Sequence, residues 1–308
     1  MPRSRFVDYA VYLLVRVFIC IVQALSLEMG TRLARGLAWL ACDVFRIRAG
    51  VVDENLSHAF PQCPPAQRRT LARQMWEHLF LLVLEVAHAP RKIHETNWRH
   101  YVRLSGTDPL VRALLDDRPL VLVTGHFGNF EIGGFMLGIL GFPTYAVARN
   151  LDNPYLDRFV SRFRRATGQY LIPKNGGYEQ ILAVLAGGGA VSFLADQYAG
   201  PKGCWVEFFG RKASAHKGIA LLALEHDAPV AVCCARRLGR PLHFELHVQA
   251  MVDPRQTDAG VGTLPLMTQW YTRHLEAMIR QAPEQYWWLH RRWKDPRPKR
   301  PSTSAKAA

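Results

Sequence analysis

His126 and Glu131 stand five residues apart in the segment Gly125-His126-Phe127-Gly128-Asn129-Phe130-Glu131. Imidazole and carboxylate are the groups that proton transfer near neutral pH most often uses. A neutral imidazole takes a proton from a hydroxyl only if the correct ring nitrogen is free. A carboxylate bonded to the other nitrogen fixes that tautomer and stabilises the imidazolium as it forms. A turn folding back between His126 and Glu131 brings the two side chains together, because Gly128 permits a tight turn and Asn129 can cap a following helix. No Ser or Cys adjoins His126 to act as nucleophile. The pair reads as a general base, His126, oriented by Glu131, that activates a substrate hydroxyl for direct acyl transfer. Such help is typically about 10²–10⁴-fold in rate. The same spacing also fits a capping turn around a buried, satisfied histidine, and spacing alone does not separate the two.

The flanking residues supply the elements that must position the pair. Leu120-Val121-Leu122-Val123 is a short apolar run rich in β-branched residues and reads as a buried strand. Gly125 breaks the run, and Ile132, Phe135, Met136 and Ile139 then fall on one face of a helix. His126 therefore belongs at the C-terminal lip of a parallel strand, where open α/β sheets bind their ligands. Glu131 belongs in the first turn of the next helix. Further strands are expected over 98–104 and 243–251, both as edge strands, and over 142–148, 170–172, 190–195 and 229–236. Helices are expected over 31–47, 51–60, 64–89, 108–115, 154–168, 177–186, 215–226 and 264–281. Repeated β-α units with buried apolar strands mean an α/β fold, a mostly parallel central sheet flanked by helices, preceded by an N-terminal helical membrane-associating segment. Arg149 and Asp196 follow strand ends as His126 does, so all three can share one rim of the sheet.

Gly125 to Glu131 resembles the H-x4-E/D signature of glycerolipid-type acyltransferases. The similarity is strongest to the bacterial late acyltransferases of lipid A biosynthesis, the lauroyl/myristoyl transferase family. Three more segments carry it in the same order: Arg149-Asn150-Leu151-Asp152-Asn153-Pro154; Asp196-Gln197 followed by Phe208-Phe209-Gly210-Arg211; and the block Pro283-Glu284-Gln285-Tyr286-Trp287-Trp288-Leu289-His290-Arg291-Arg292-Trp293-Lys294. The resemblance runs from about residue 5 to 295. It implies an O-acyltransferase that moves a fatty acyl group from an acyl-thioester, with acyl carrier protein as the expected donor and coenzyme A left open, to a hydroxyl of a lipid A-type glycolipid. Acyl carrier protein, the glycolipid and inner-membrane lipids are then the partners, with no further cofactor. The resemblance also implies a bacterial inner-membrane location, with the catalytic domain on the cytoplasmic side. It places Arg149, Arg164 and Asp196 near the substrate, and the guanidinium fork suits the phosphates of such an acceptor. A structural ion pair with an arginine is the other role open to Asp196. Arg158, Arg162 and Arg165 read as a solvated helix face.

Composition narrows the alternatives. The 308 residues carry a formal charge of +14, which calls for an acidic partner: an anionic membrane, an acidic protein or nucleic acid. The interleaved aromatics and basic residues of 286–294 fit single-stranded nucleic acid or a membrane interface. The family resemblance argues against nucleic acid. A lysophospholipid acyltransferase using acyl-CoA, or a basic nucleic-acid or membrane-binding protein with a degenerate site, remain the alternatives. The six cysteines (Cys20, Cys42, Cys63, Cys204, Cys233, Cys234) form no C-x2-C pair, and the histidines show no H-E-x-x-H spacing, so no disulfide framework and no metal site are expected. Residues 9–27 are long enough to cross a bilayer at about 1.5 Å per residue. Arg16 interrupts them at a cost of roughly 2.5–3.5 kcal/mol. Spanning, interfacial and core-helix readings all stay open. Residues 1–30 are expected to anchor the chain and 31–295 to form the acyltransferase domain, with a helical subregion over 31–95. Residues 296–308 read as a disordered basic tail. In the loop 212–217, Ser214 reads as a helix N-cap and His216 as a surface residue.

Overall fold

The computed structural model describes residues 4–256 and 260–294; the expected basic tail at 296–308 lies outside them. Four helices open the chain: α1 (Arg5–Ala24), α2 (Leu27–Trp39), α3 (Ala49–Ala59) and α4 (Pro65–Lys92). The alternating part follows as β1 (Val102–Ser105), α5 (Asp108–Leu114), β2 (Leu120–Thr124), α6 (Phe130–Ile139), β3 (Thr144–Ala148) and α7 (Pro154–Arg165). It continues as β4 (Gln169–Pro173), α8 (Tyr178–Ala186), β5 (Ala190–Leu194), β6 (Cys204–Phe208) and β7 (Arg211–Ala215). The last elements are α9 (Lys217–Glu225), β8 (Val230–Arg237), β9 (Phe244–Val252) and α10 (Leu264–Gln281).

Seven strands form one sheet in the order β1-β9-β8-β2-β5-β3-β4. Every pair in it is parallel except β8 with β9. This is the mostly parallel α/β fold expected from the sequence. The β2 run lies at its centre with Val121 and Val123 fully buried. Helices cover both faces, which is why its side chains are apolar on both sides. Burying such a residue stabilises the fold by about 1.5–3 kcal/mol.

One expectation about edges is corrected. β9 is an inner strand, covered on its outer side by β1, which takes the edge. Residues 204–215 form an antiparallel hairpin outside the main sheet. Its two-residue loop, Phe209 and Gly210, has positive φ at both positions (52° and 71°), the backbone of the tight turn that matches strand twist. Phe209 is held there by its N–H donating to Glu276 at 2.6 Å and by its ring against Phe60 and Trp288. Ser214 consequently lies in a strand, fully buried, with its hydroxyl donating to the Gly200 carbonyl. The N-cap of α9 is His216, which is half-buried rather than on the surface.

Helix α1 leaves much of its apolar surface uncovered: Leu14, Val17, Phe18 and Ile21 are all more than half exposed. Its inner side is tied down near both ends. Asn153 donates to the Asp8 carbonyl at 2.8 Å, and Gln23 donates to the Ala87 carbonyl at 2.7 Å. Arg16 donates to the Tyr12 hydroxyl and lies 5.0 Å from the centre of the Phe159 ring on α7. Its charge is thus turned toward the body of the protein.

Candidate active site

The turn between β2 and α6 is held rigidly. Gly128 has φ +61°, and a Cβ there would sit 2.2 Å from the Ala235 carbonyl oxygen, so only glycine fits. Asn129 caps α6, its side-chain oxygen accepting from the Ile132 N–H at 3.2 Å. The Gly128 and Asn129 N–H groups donate to the Gln285 and Ala235 carbonyls.

His126 emerges from this turn beside Asp196, and the sheet register explains why. β2 and β5 pair in parallel from Leu120 with Ala190 to Thr124 with Leu194. Two residues beyond each strand end, His126 faces Asp196. Its Nδ1 lies 2.9 Å from Asp196 Oδ1, and its backbone N–H donates to Oδ2 at 3.1 Å. With Nδ1–H donated to the carboxylate, Nε2 keeps its lone pair. The nearest polar group to Nε2 is the Gln197 side-chain amide at 3.3 Å. Phe130 and Trp287 meet the imidazole edge-on at 5.4 and 5.1 Å.

The electrostatics follow from burial and this contact. Burial would lower the His126 pKa, but the charge and hydrogen bond of Asp196, with Glu131 behind them, raise it above its ordinary 6.5. Burial would raise Asp196, yet the His126 charge and the hydrogen bonds hold it below the usual carboxylate value. The buried Tyr286 hydroxyl, next to Asp196, is pushed well above its ordinary value by burial and that negative charge. His290 is lowered to about 4, mainly by burial, and its Nε2 accepts the Tyr198 N–H at 3.1 Å.

Glu131 does not make the expected bond to His126. Its carboxylate is occupied by Arg164 from α7, whose Nε donates at 3.0 Å and whose Nη2 binds the other oxygen. The helix start points Glu131 toward α7, while the neighbouring strand supplies the carboxylate at Nδ1. Asp196 therefore takes the orienting position, and Glu131 acts on the imidazole through charge alone. Arg164 is brought to the site. Arg149 is exposed and pairs with Asp152, three residues on in its own loop, at 2.8 Å. Arg158, Arg162 and Arg165 are exposed, as a solvated face requires.

Two apolar cavities flank the turn. One, about 390 Å³, runs between α1, α4 and α7 and has the Glu131–Arg164 pair in its wall, with Phe18, Val86, Phe159 and Phe163 among its other residues. The other, about 110 Å³, lies under the sheet against Gly133, Gly134 and Leu137 of α6 and includes Phe130 and Thr124. Among the described residues no cluster of three or more His, Cys, Asp or Glu is placed to hold a metal ion. Burial pushes the Cys233 thiol up to about 12, so it is no nucleophile.

A family profile described as bacterial lipid A biosynthesis acyltransferase matches residues 1–295. The chain belongs to that family. Its relatives include the lipid A biosynthesis palmitoleoyltransferase of Escherichia coli (strain K12), 26% identical over 272 residues, covering 86% of this chain and 84% of the relative. The lipid A biosynthesis lauroyltransferase of the same organism is 26% identical over 269 residues, covering 85% and 84%. A 1-acyl-sn-glycerophosphate acyltransferase from Thermotoga maritima, PlsC, superposes with a TM-score of 0.40 at 13% identity, covering 88% of this chain and all of that one. In this lipid A-family acyltransferase the site gathers His126, Asp196, Glu131 and Arg164. Beside them lie groups to which the sequence assigns no role: Gln197 at Nε2, and Trp287 and Phe130 around the ring. The signal for Trp287 was its place in the C-terminal aromatic block. That block reaches the turn because Phe127 bridges Tyr286 and the Trp287 N–H donates to the His126 carbonyl at 2.9 Å.

Proposed function

We propose that the enzyme transfers a fatty acyl group from an acyl-thioester to a hydroxyl of a lipid A-type glycolipid, with His126 Nε2 as general base. The observation that carries this reading is the His126–Asp196 contact, with Nδ1 on a buried carboxylate and Nε2 left facing only the Gln197 amide, while Glu131 of the same turn stands in the wall of a hydrocarbon-lined cleft. The acceptor hydroxyl displaces the Gln197 amide and gives its proton to Nε2 as its oxygen attacks the thioester carbonyl. The tetrahedral intermediate then breaks its C–S bond, and the imidazolium returns the proton to the departing sulfur. No acyl-enzyme forms. Asp196 keeps the tautomer and stabilises the imidazolium. Glu131 adds negative charge and positions Arg164, which binds a phosphate of the acceptor. Arg149, paired with Asp152 in its exposed loop, meets the same anionic acceptor at the rim.

The cleft between α1, α4 and α7 lies within the range of ligand pockets, about 300–1,000 Å³, and takes hydrocarbon. α1 binds the inner membrane by its exposed apolar face. Charged residues at Leu14, Val17 and Ile21 are predicted to release the protein from sedimented membranes without unfolding it. Continued sedimentation would refute that role. The donor is acyl carrier protein, whose acidic surface complements a charge of +14. A purified enzyme assayed with carrier-protein and coenzyme A thioesters, against a lipid A-type phosphoglycolipid and a lysophospholipid, tests both choices. Preference for the coenzyme A thioester or for the lysophospholipid would overturn the corresponding half.

A further inference from the structure

A second charged cluster lies behind the catalytic turn. Glu85 and His78 on α4 and Arg237 at the end of β8 are all at least nine-tenths buried. Arg237 forks onto Glu85, with Nη2 to Oε2 at 2.6 Å and Nε on Oε1. Its Nη1 lies 2.7 Å from His78 Nδ1. Arginine can only donate, so Nδ1 is the acceptor and His78 Nε2 carries the proton. That Nε2 reaches the Gly128 carbonyl at 3.2 Å. Burial, followed by the Arg237 charge, lowers His78 to about 3, so it stays neutral through the working pH range.

The cluster grips the turn at two successive residues. Gly128 donates its N–H to the Gln285 carbonyl and accepts from His78. Asn129 donates its side-chain amide to Glu85 Oε2 at 2.9 Å while capping α6 with its oxygen. The Gln285 side chain in turn clasps the Arg237 backbone, accepting from its N–H at 2.9 Å and donating to its carbonyl at 3.0 Å. The turn is thus bonded from both sides, although none of these groups touches the reacting atoms. A buried ion pair of this kind is weak evidence for stability as such. Its bonds end on Gly128 and Asn129, two of the three residues between His126 and α6.

We propose that Glu85, Arg237 and His78 form a buried clamp that sets the His126 turn, which makes them positioning residues for acyl transfer. The inference rests on His126 as the reacting base. Displacement of a reacting group by about 1 Å costs on the order of 10²-fold in rate, so the clamp acts on kcat rather than on substrate binding.

The test uses full-length purified protein. His78→Leu removes the donor to Gly128, and His78→Gln keeps an amide donor in its place. The double change Glu85→Gln with Arg237→Gln removes both charges together. His78→Leu is expected to lower kcat about 10–100-fold with KM little changed, and to move the alkaline-rising limb of the rate to lower pH as the His126–Asp196 contact loosens. His78→Gln is expected to recover most of the rate. A lowered melting temperature with wild-type kcat and an unmoved limb in His78→Leu would overturn the clamp and leave only a structural role. The charge-neutral double variant should match His78→Leu, and the His78 pair decides if it fails to fold. A His126→Ala enzyme of wild-type rate would instead sink the base assignment, so the two failures are distinguishable.

Discussion

Asp196→Asn separates an orienting carboxylate from a bystander. Asp196 serves two donors of His126 with two different oxygens: Nδ1–H at 2.9 Å and the backbone N–H at 3.1 Å. An amide has one oxygen. If that oxygen keeps the backbone N–H, the amide NH2 faces Nδ1. The imidazole must then shift its proton to Nε2, and the lone pair that takes the substrate proton is gone. If the oxygen keeps Nδ1–H, the backbone N–H faces a donor. A hydrogen bond to a charged partner contributes about 1.5–3 kcal/mol, and this one is buried. The combined loss of charge and tautomer should remove most of the general-base contribution, a fall of about 10²–10⁴-fold in kcat. The pH profile gives a second reading. In the wild type the limb rising with pH lies above 6.5, because Asp196 outweighs burial. Without the charge, burial dominates and the residual activity of the variant should rise below 6.5. Initial acyl-transfer rates over about pH 5 to 9, with circular dichroism to establish folding, measure both. A folded Asp196→Asn enzyme within about threefold of wild type, with its limb unmoved, would refute the orienting role.

The same pair gives a signature in stability. The raised His126 pKa contributes stability that is full below 6.5 and is lost as pH rises through the folded value. The lowered Asp196 pKa contributes stability that is full above 3.8 and is lost as pH falls through its folded value. The melting-temperature difference between wild type and His126→Gln should therefore be largest between these limits, and a difference that grows toward alkaline pH would contradict it. Gly128→Ala combines a left-handed backbone, about 1–2 kcal/mol, with the contact to the Ala235 carbonyl. It should lower the melting temperature and abolish most activity, and a wild-type melt would show that the turn is looser than described. Arg164→Lys keeps the charge and loses the fork on Glu131, in a pair about one-fifth exposed. Discounted for that exposure, it should cost about 1 kcal/mol and about fivefold in kcat/KM for the phosphorylated acceptor. A loss confined to the thioester donor would place Arg164 elsewhere.

The parts of the site carried by local sequence were legible. The β-branched run, the break at Gly125, the cap at Asn129 and the helical face after it all appear as expected. The residues brought in from a distance were only partly so. Strand ends placed His126 and Asp196 on one rim, but the parallel register that sets them face to face is a property of two strands seventy residues apart in sequence. Spacing alone favoured Glu131 for that position. The Glu131–Arg164 pair depends on the packing of α6 against α7, which no periodicity encodes. The 204–215 hairpin carries no turn signature, because its tight loop is Phe209-Gly210 rather than the usual Asn-Gly or Asp-Gly. Without that signature, Ser214 reads as a helix cap. The buried Glu85–Arg237–His78 group was hidden for a simpler reason. Glu85 and His78 sit in a helix whose apolar residues cover more than one face, and charges there read as exposed until a partner is seen.

The most direct measurement is mass spectrometry of membrane lipids from a host expressing the wild-type protein or His126→Ala at equal levels. A new acyl mass on a lipid A-type glycolipid with the wild type, absent with the variant, is the predicted result. The same new mass with His126→Ala would contradict the base assignment, and an added acyl group on phospholipid alone would contradict the acceptor.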